Sequence, residues 1–288
     1  MKSIIYHLTI AIFIFGFSAC NKENNTPKLI VKYSFDKNQE RLDNFGEPAT
    51  IAAGNAAQTP IFRKLGVHSL ELINTPYVLP NEGSILYTGA ETTAGGTKAI
   101  DFEKEVLLEE GSILAEIPLN EITPGTYTYL RNSLAYQEYD IAVRVNHSSG
   151  TYDLNSRLAS FIGFNTYIKS HTLNEESFVV NGNKKQGYWA VETNTPAGNF
   201  KETGQAAGTT VPNILADTSP IPLNSCLVTG AFKTPLKITG EETEDITITV
   251  KISINNSFEW IDANDNGIYE PGDGETVVDM GVRGLIVE

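Results

Sequence analysis

The segment Ile246-Thr247-Ile248-Thr249-Val250-Lys251-Ile252-Ser253 carries an apolar side chain at every second position. A strand turns successive side chains to opposite faces, so this pattern buries one face and leaves the other to water. A helix of 3.6 residues per turn would scatter the same residues around its circumference. The same period runs through Leu29, Val31, Tyr33 and Phe35, through Ile113, Ala115 and Ile117, and through Tyr139, Ile141, Val143 and Val145. No stretch beyond residue 20 shows a helical period. Pro124-Gly125 punctuates the chain ahead of Thr126-Tyr127-Thr128-Tyr129. Asn181-Gly182-Asn183 stands between Phe178-Val179-Val180 and Tyr188-Trp189-Ala190-Val191, which reads as a hairpin. Many short strands with frequent turns predict an all-β chain, an antiparallel β-sandwich built as one large or two lobes.

Two stretches read as irregular. Residues 88–98 are small and polar; they lack the Gly-Lys-Ser/Thr ending of a phosphate-binding loop. Residues 194–225 are rich in Thr, Pro, Gly and Asn, and are expected to be a binding loop or the division between lobes. The expected organisation is a leader over 1–19, a tether over 20–28 and a β domain over 29–288. An apolar content of 41% supplies its core.

The N-terminus joins one lysine, Lys2, to an apolar run from Ile4 to Phe17, then Ser18-Ala19-Cys20. The run is too short for a permanent membrane span and ends in small residues, as a cleaved leader does. It resembles a bacterial lipoprotein signal with its lipobox, with Phe17 where that family usually has leucine. The resemblance implies cleavage before Cys20, acylation of Cys20 and membrane attachment through acyl chains. Asn21, in place of an inner-membrane aspartate, implies the outer membrane, on its periplasmic or cell-surface face. The polar stretch Asn21-Lys22-Glu23-Asn24-Asn25-Thr26-Pro27 cannot bury apolar surface and suits a tether. The other cysteine, Cys226, then has no intrachain partner and reads as a small buried hydrophobe.

The net charge is −14, and loss of Lys2 with the leader takes it to −15. Such a chain lacks the basic footprint that holds a phosphate backbone, which argues against nucleic acid. The expected partners are the bilayer and a glycan or an outer-membrane protein complex. The sequence contains no Gly-x-Ser-x-Gly elbow, no His-Glu-x-x-His and no dinucleotide glycine fingerprint, so a non-enzyme is expected. A secreted hydrolase with an unrecognised carboxylate pair is a third reading, for which no pair can be nominated.

The run Asp262-Ala263-Asn264-Asp265-Asn266-Gly267-Ile268-Tyr269-Glu270-Pro271-Gly272-Asp273 places oxygen-bearing side chains at positions one, three, five, nine and twelve, and glycine at six. This spacing resembles the calcium loop of EF-hands, dockerins and thrombospondin type 3 repeats. The resemblance implies Asp262, Asn264, Asn266, Glu270 and Asp273 as side-chain ligands, with the carbonyl of Ile268. Asp273 is one methylene shorter than the usual glutamate. No helices are expected to flank the loop, so the ion would serve structure. The alternative is an acidic turn whose Asn and Gly residues serve the turn alone.

His68, His147 and His171 are scattered, with no spacing that makes a local metal site. Ile122-Thr123-Pro124-Gly125-Thr126-Tyr127, Gly187-Tyr188-Trp189 and the 246–252 strand resemble pieces of MbnP-like copper-binding proteins, secreted or lipid-anchored β-sandwiches. That resemblance makes a copper-binding protein the alternative function, with His68, His147, His171 and Trp189 as its candidate residues. Tyr127, Tyr129, Tyr136, Tyr139, Tyr188 and Trp189 are expected to fill the core and its rim, the alternative being a face for stacking sugars.

Overall fold

The computed structural model describes residues 26–196, 198–206 and 225–288. The leader, Cys20 and most of the tether lie outside them, as does 207–224. The fold is all-β and sandwich-like, its sheets mostly antiparallel. The described residues form three sheets.

The largest sheet is organised on β9 (Gly125–His147), a strand of 23 residues. One of its edges pairs with β3 (Ile61–Ile73), from Ile61 opposite Asp140 to Ile73 opposite Tyr129. The other edge is shared. β15 (Cys226–Ile238) takes its first half and β10 (Gly150–Phe161) its second. Beyond β10 follow β13 (Tyr188–Thr195) and β14 (Gly198–Gln205). Beyond β15 follow β19 (Gly284–Val287), β16 (Ile246–Ser253), β1 (Lys28–Asp36) and β8 (Ile113–Pro118). β4 (Ser84–Thr88) and β7 (Leu107–Leu108) pair with β3. The second sheet runs β12 (Glu176–Lys185), β11 (Asn165–Leu173), β6 (Ala99–Asp101), β5 (Glu91–Thr92). The third runs β18 (Val277–Met280), β17 (Phe258–Ile261), β2 (Asn55–Gln58).

The large sheet is open, and strands from its two ends share one core. Leu29, Val31 and Tyr33 of β1 and Ile248, Val250 and Ile252 of β16 meet Leu65, Leu70 and Leu72 of β3 and Leu130, Leu134 and Tyr139 of β9 in one core. The buried Tyr33 hydroxyl donates to Asn132 Oδ1 of β9 at 2.6 Å across it. The opposite face of the β9–β10 region carries a second core. There Tyr136, Phe161, Tyr188 and Ala190 pack on Ile100, Ile168, Leu173 and Phe178 of the four-stranded sheet.

The expected alternation holds at 29–33, 139–143 and 248–252, whose inward residues are buried. It fails where strands bulge. In β8, Val31 lies opposite Ala115 and Lys32 opposite Ile113, which leaves Leu114 as the extra residue. A bulge shifts the pleat by one, so Leu114 turns inward and Ile113 is 43% exposed. In β9, Gly66 faces Tyr136 and Val67 faces Leu134, so Ala135 is the extra residue. From Leu130 to Leu134 even-numbered side chains enter the main core, and from Tyr139 to Val143 odd-numbered ones do.

The expected 178–191 hairpin does not form. β12 runs through Asn181-Gly182-Asn183 and pairs with β11, while β13 joins the large sheet. Asn181 sits at φ +51 where the β11–β12 register shifts, so its turn chemistry makes a bulge instead of a reversal. Residues 88–98 contain β5, and 198–205, inside the stretch read as a loop, form the edge strand β14. Cys226 is a buried free thiol, and burial raises its pKa well above the ordinary value.

Candidate metal centre

The calcium-like loop leaves the three-stranded sheet at Ile261, whose N–H donates to Thr276 O at 2.9 Å. No helix flanks it, apart from a 3-10 turn at Pro271–Asp273 inside its last third. Asp262 opens the turn: its Oδ2 accepts from Gly267 N at 2.7 Å and its Oδ1 from Asn266 N at 3.2 Å. Asn266 Oδ1 accepts from Ile268 N at 2.8 Å. Gly267 stands at φ +71, a left-handed conformation that glycine adopts without a Cβ penalty. Asp265 shares that region at φ +57.

The side chains converge on Glu270, which is 3% exposed. Its Oε2 accepts from Asn264 Nδ2 and Asn266 Nδ2, both at 2.7 Å. Its Oε1 accepts from Asn146 Nδ2 at 2.9 Å. The three amide bonds hold the carboxyl below the usual carboxylate range, Asn264 first. Asn146 also donates to Asp273 Oδ2 at 2.8 Å. It belongs to β9 and has no signature in the loop's spacing. Arg144 N donates to Tyr269 O at 2.8 Å, a second tie between β9 and the loop.

The donor set fits a hard, oxygen-seeking cation. Turning an Asn amide by 180° exchanges Oδ1 and Nδ2 with little change of shape. Turned inward, the oxygens of Asn264 and Asn266 would give up the bonds they accept from Asn266 N at 3.2 Å and Ile268 N at 2.8 Å and would face Glu270 Oε2, an approach that only a cation between them makes favourable. Aspartate and asparagine oxygens, a carbonyl and a buried carboxylate are the ligands calcium takes. Among the described residues no group of three or more His, Cys, Asp or Glu is placed to hold a metal ion. In this loop Asp262 is turned to backbone N–H groups, and amides supply two of the five candidate side chains.

The structure does not bring the four copper candidates together. His68 of β3 is buried, with Nε2 3.1 Å from Glu91 Oε1 and its ring against Phe164. His171 of β11 is buried among Phe102, Phe161, Phe178 and Tyr188, stacked on Phe178 at 4.9 Å. Neither of its ring nitrogens has a hydrogen-bond partner, and burial pushes its pKa down to about 4. His147 is exposed at the end of β9, with Nδ1 3.0 Å from Ser149 Oγ. Trp189 follows Tyr188 in β13. Neighbouring strand residues face opposite ways, so its ring lies on the other side of the sheet from His171. There it covers Gly204 of β14, where a Cβ would stand 2.3 Å from Cζ2. Trp189 caps an edge-strand glycine.

Three strand acids are engaged by arginines: buried Glu71 by Arg131 at 2.9 Å, partly buried Asp140 by Arg157 at 2.5 Å, and buried Glu259 by Arg41. That arrangement serves structure. Tyr136 and Tyr139 are fully buried and Tyr127 and Tyr188 nearly so, which places most of the aromatic run in the two cores.

No family model, no curated protein and no solved structure matches the chain.

Proposed function

We propose that this chain is a lipid-anchored cell-envelope protein of binding or structural type, with the loop 262–273 stiffened by calcium. The anchor is Cys20, and the support for it is the leader: Lys2, the apolar run and Ser18-Ala19-Cys20. The observation that carries the calcium reading is the gathering of Asn264, Asn266 and Asn146 around Glu270 inside a turn set by Asp262 and Gly267. The ion would join the loop to β9 through Asn146 and to the core through Tyr269, whose ring lies 5.5 Å from that of buried Trp260. In this reading the cation does no chemistry; it fixes one end of the sheet. The outer-membrane face and a glycan or protein-complex partner belong to the same reading.

A ligand that binds only the folded state stabilises it by RT ln(1 + [L]/Kd). Calcium at ten times Kd is expected to add about 1.4 kcal/mol. For a domain of this size that raises Tm by roughly 3–5 °C. Asp262→Ala is expected to abolish the gain while leaving the calcium-free Tm within a few degrees of its parent. Equal melting with calcium and with a chelator, up to millimolar calcium, would remove the assignment. The anchor is tested separately, by mass spectrometry of protein recovered from membranes: a diacylglyceryl-modified Cys20 is expected at the mature N-terminus.

A further inference from the structure

The four-stranded sheet is joined to the large sheet, on one side, by two short crossovers. Gly89-Ala90 leads from β4 into β5, and Phe102–Val106 leads from β6 back to β7. Backbone bonds fix both: Gly89 N to His68 O at 2.6 Å and Asp101 N to Ala90 O at 2.9 Å. Glu105 lies in the second crossover and turns its carboxyl against the first. A Cβ on Gly66 of β3 would come 3.0 Å from Glu105 Oε1, and one on Gly89 would come 3.5 Å from Oε2. Two glycines thus make room for the carboxyl where both crossovers meet the large sheet. Both oxygens are buried and no side chain bonds to them. The Val67 N–H favours the charged form, and burial outweighs it.

The surrounding elements offer Glu105 no counter-charge. From β3 comes His68, bonded to Glu91 of β5, which Lys98 also holds at 2.9 Å. From β4 comes Tyr87, whose own pKa burial raises to about 12. Lys104 is paired with Asp101, and Glu103 with Lys169 of β11. From β9 come Tyr136, bonded to Glu138 at 3.0 Å, and Glu138 itself, held by Lys64 and Arg157. His171 of β11 is neutral among its aromatic rings.

We propose that Glu105 makes the joint of the two crossovers a proton-operated latch: the closed joint holds its carboxyl neutral, and opening of the joint lets it ionise in water. A carboxylate in the closed joint would be a buried charge with one N–H and no counter-charge to compensate it. Burial raises the pKa of Glu105 to about 8 in the closed joint. In the open joint it returns to about 4.3. The closed form therefore keeps a proton that the open form releases. Closure is favoured most at acid pH and weakens about tenfold per pH unit as pH rises from about 4.3 to about 8. His171 and His68, both lowered by burial, act in the opposite sense below about pH 6.5. The latch is therefore read between pH 6.5 and 8.

The test is hydrogen exchange of the amides that close the joint, Gly89 and Asp101, in the full chain, corrected for the intrinsic pH dependence of exchange. The opening constant is expected to rise about tenfold per pH unit over that window. Glu105→Gln, neutral at every pH, is expected to flatten the profile. A flat wild-type profile, or the same slope in both proteins, would overturn the latch. Where the variant does not fold, carbon-13 NMR of the Glu105 carboxyl decides: titration near pH 8 supports the latch and titration near 4.3 overturns it. Asp279, buried in β18 of the three-stranded sheet and also raised, to about 7, lies away from the joint, so its titration is expected to leave the local opening slope unchanged.

Discussion

Arg131→Met is expected to destabilise the protein by about 3–5 kcal/mol, the effect of stranding one partner of a fully buried ion pair. Arg131 and Glu71 have side chains only 3% and 4% exposed, and Nη1 meets Oε1 at 2.9 Å. Replacing both, as Arg131→Met with Glu71→Leu, is expected to recover most of that loss, because two apolar side chains leave no charge to solvate. The loop 74–83 separates the two effects. Arg131 Nη2 donates to Pro76 O at 3.0 Å and Val78 O at 2.6 Å, while Glu71 Oε2 accepts from Asn81 N and Gly83 N. The pair thus ties down both limbs of the loop and holds Tyr77, 83% exposed, at its apex. In the double variant the global stability returns, but the loop stays open to exchange and proteolysis. Urea unfolding gives the first quantity, and amide exchange at Asn81 and Gly83 gives the second. A single variant as stable as its parent would show that the pair is not buried as described.

Gly230→Ala is expected to destabilise by about 3 kcal/mol, at the upper end for an added methyl in a tight core. Gly230 lies in β15 where it runs beside β19. A Cβ there would stand 2.2 Å from Leu285 O and 2.8 Å from Leu285 C. Those are backbone atoms of a strand paired on its other edge with β16, so they cannot retreat without parting the two halves of the large sheet. Gly125→Ala is the control: its nearest neighbour is Tyr127 Cζ at 3.6 Å, an ordinary contact. It is expected to change stability by less than about 0.5 kcal/mol. Thermal and urea unfolding of the two variants side by side checks both values, and equal effects would contradict the packing at the β15–β19 junction.

The fold class is legible in the chain because water on one face and core on the other write themselves into a strand as a two-residue period. Ile246–Ile252 shows it plainly. What the period cannot show is where it breaks. The stretch 130–138 did not read as strand, although β9 runs through it, because the bulge at Ala135 moves the inward residues from even to odd positions. Leu114 was hidden in β8 for the same reason. Asn181-Gly182-Asn183 carries turn residues, and a bulge uses the same left-handed conformation as a reversal, so composition does not distinguish them. The candidate loop was legible because its oxygen donors come from twelve consecutive residues. Asn146 was not, since it stands 124 residues from Glu270 and meets it only when β9 is laid beside the loop. Glu105 was likewise silent: nothing in Phe102-Glu103-Lys104-Glu105 marks one acid as buried and its neighbour as exposed.

The pairing of β1 has a mechanical consequence. Its eight residues from Leu29 to Asp36 lie in unbroken parallel register with β16, from Ile246 to Ser253. A pull applied at Lys28 along the axis of that strand runs across the direction of its hydrogen bonds. The bonds are then sheared together, not peeled one after another, and the pairing resists such a pull better than a hairpin end resists the same force.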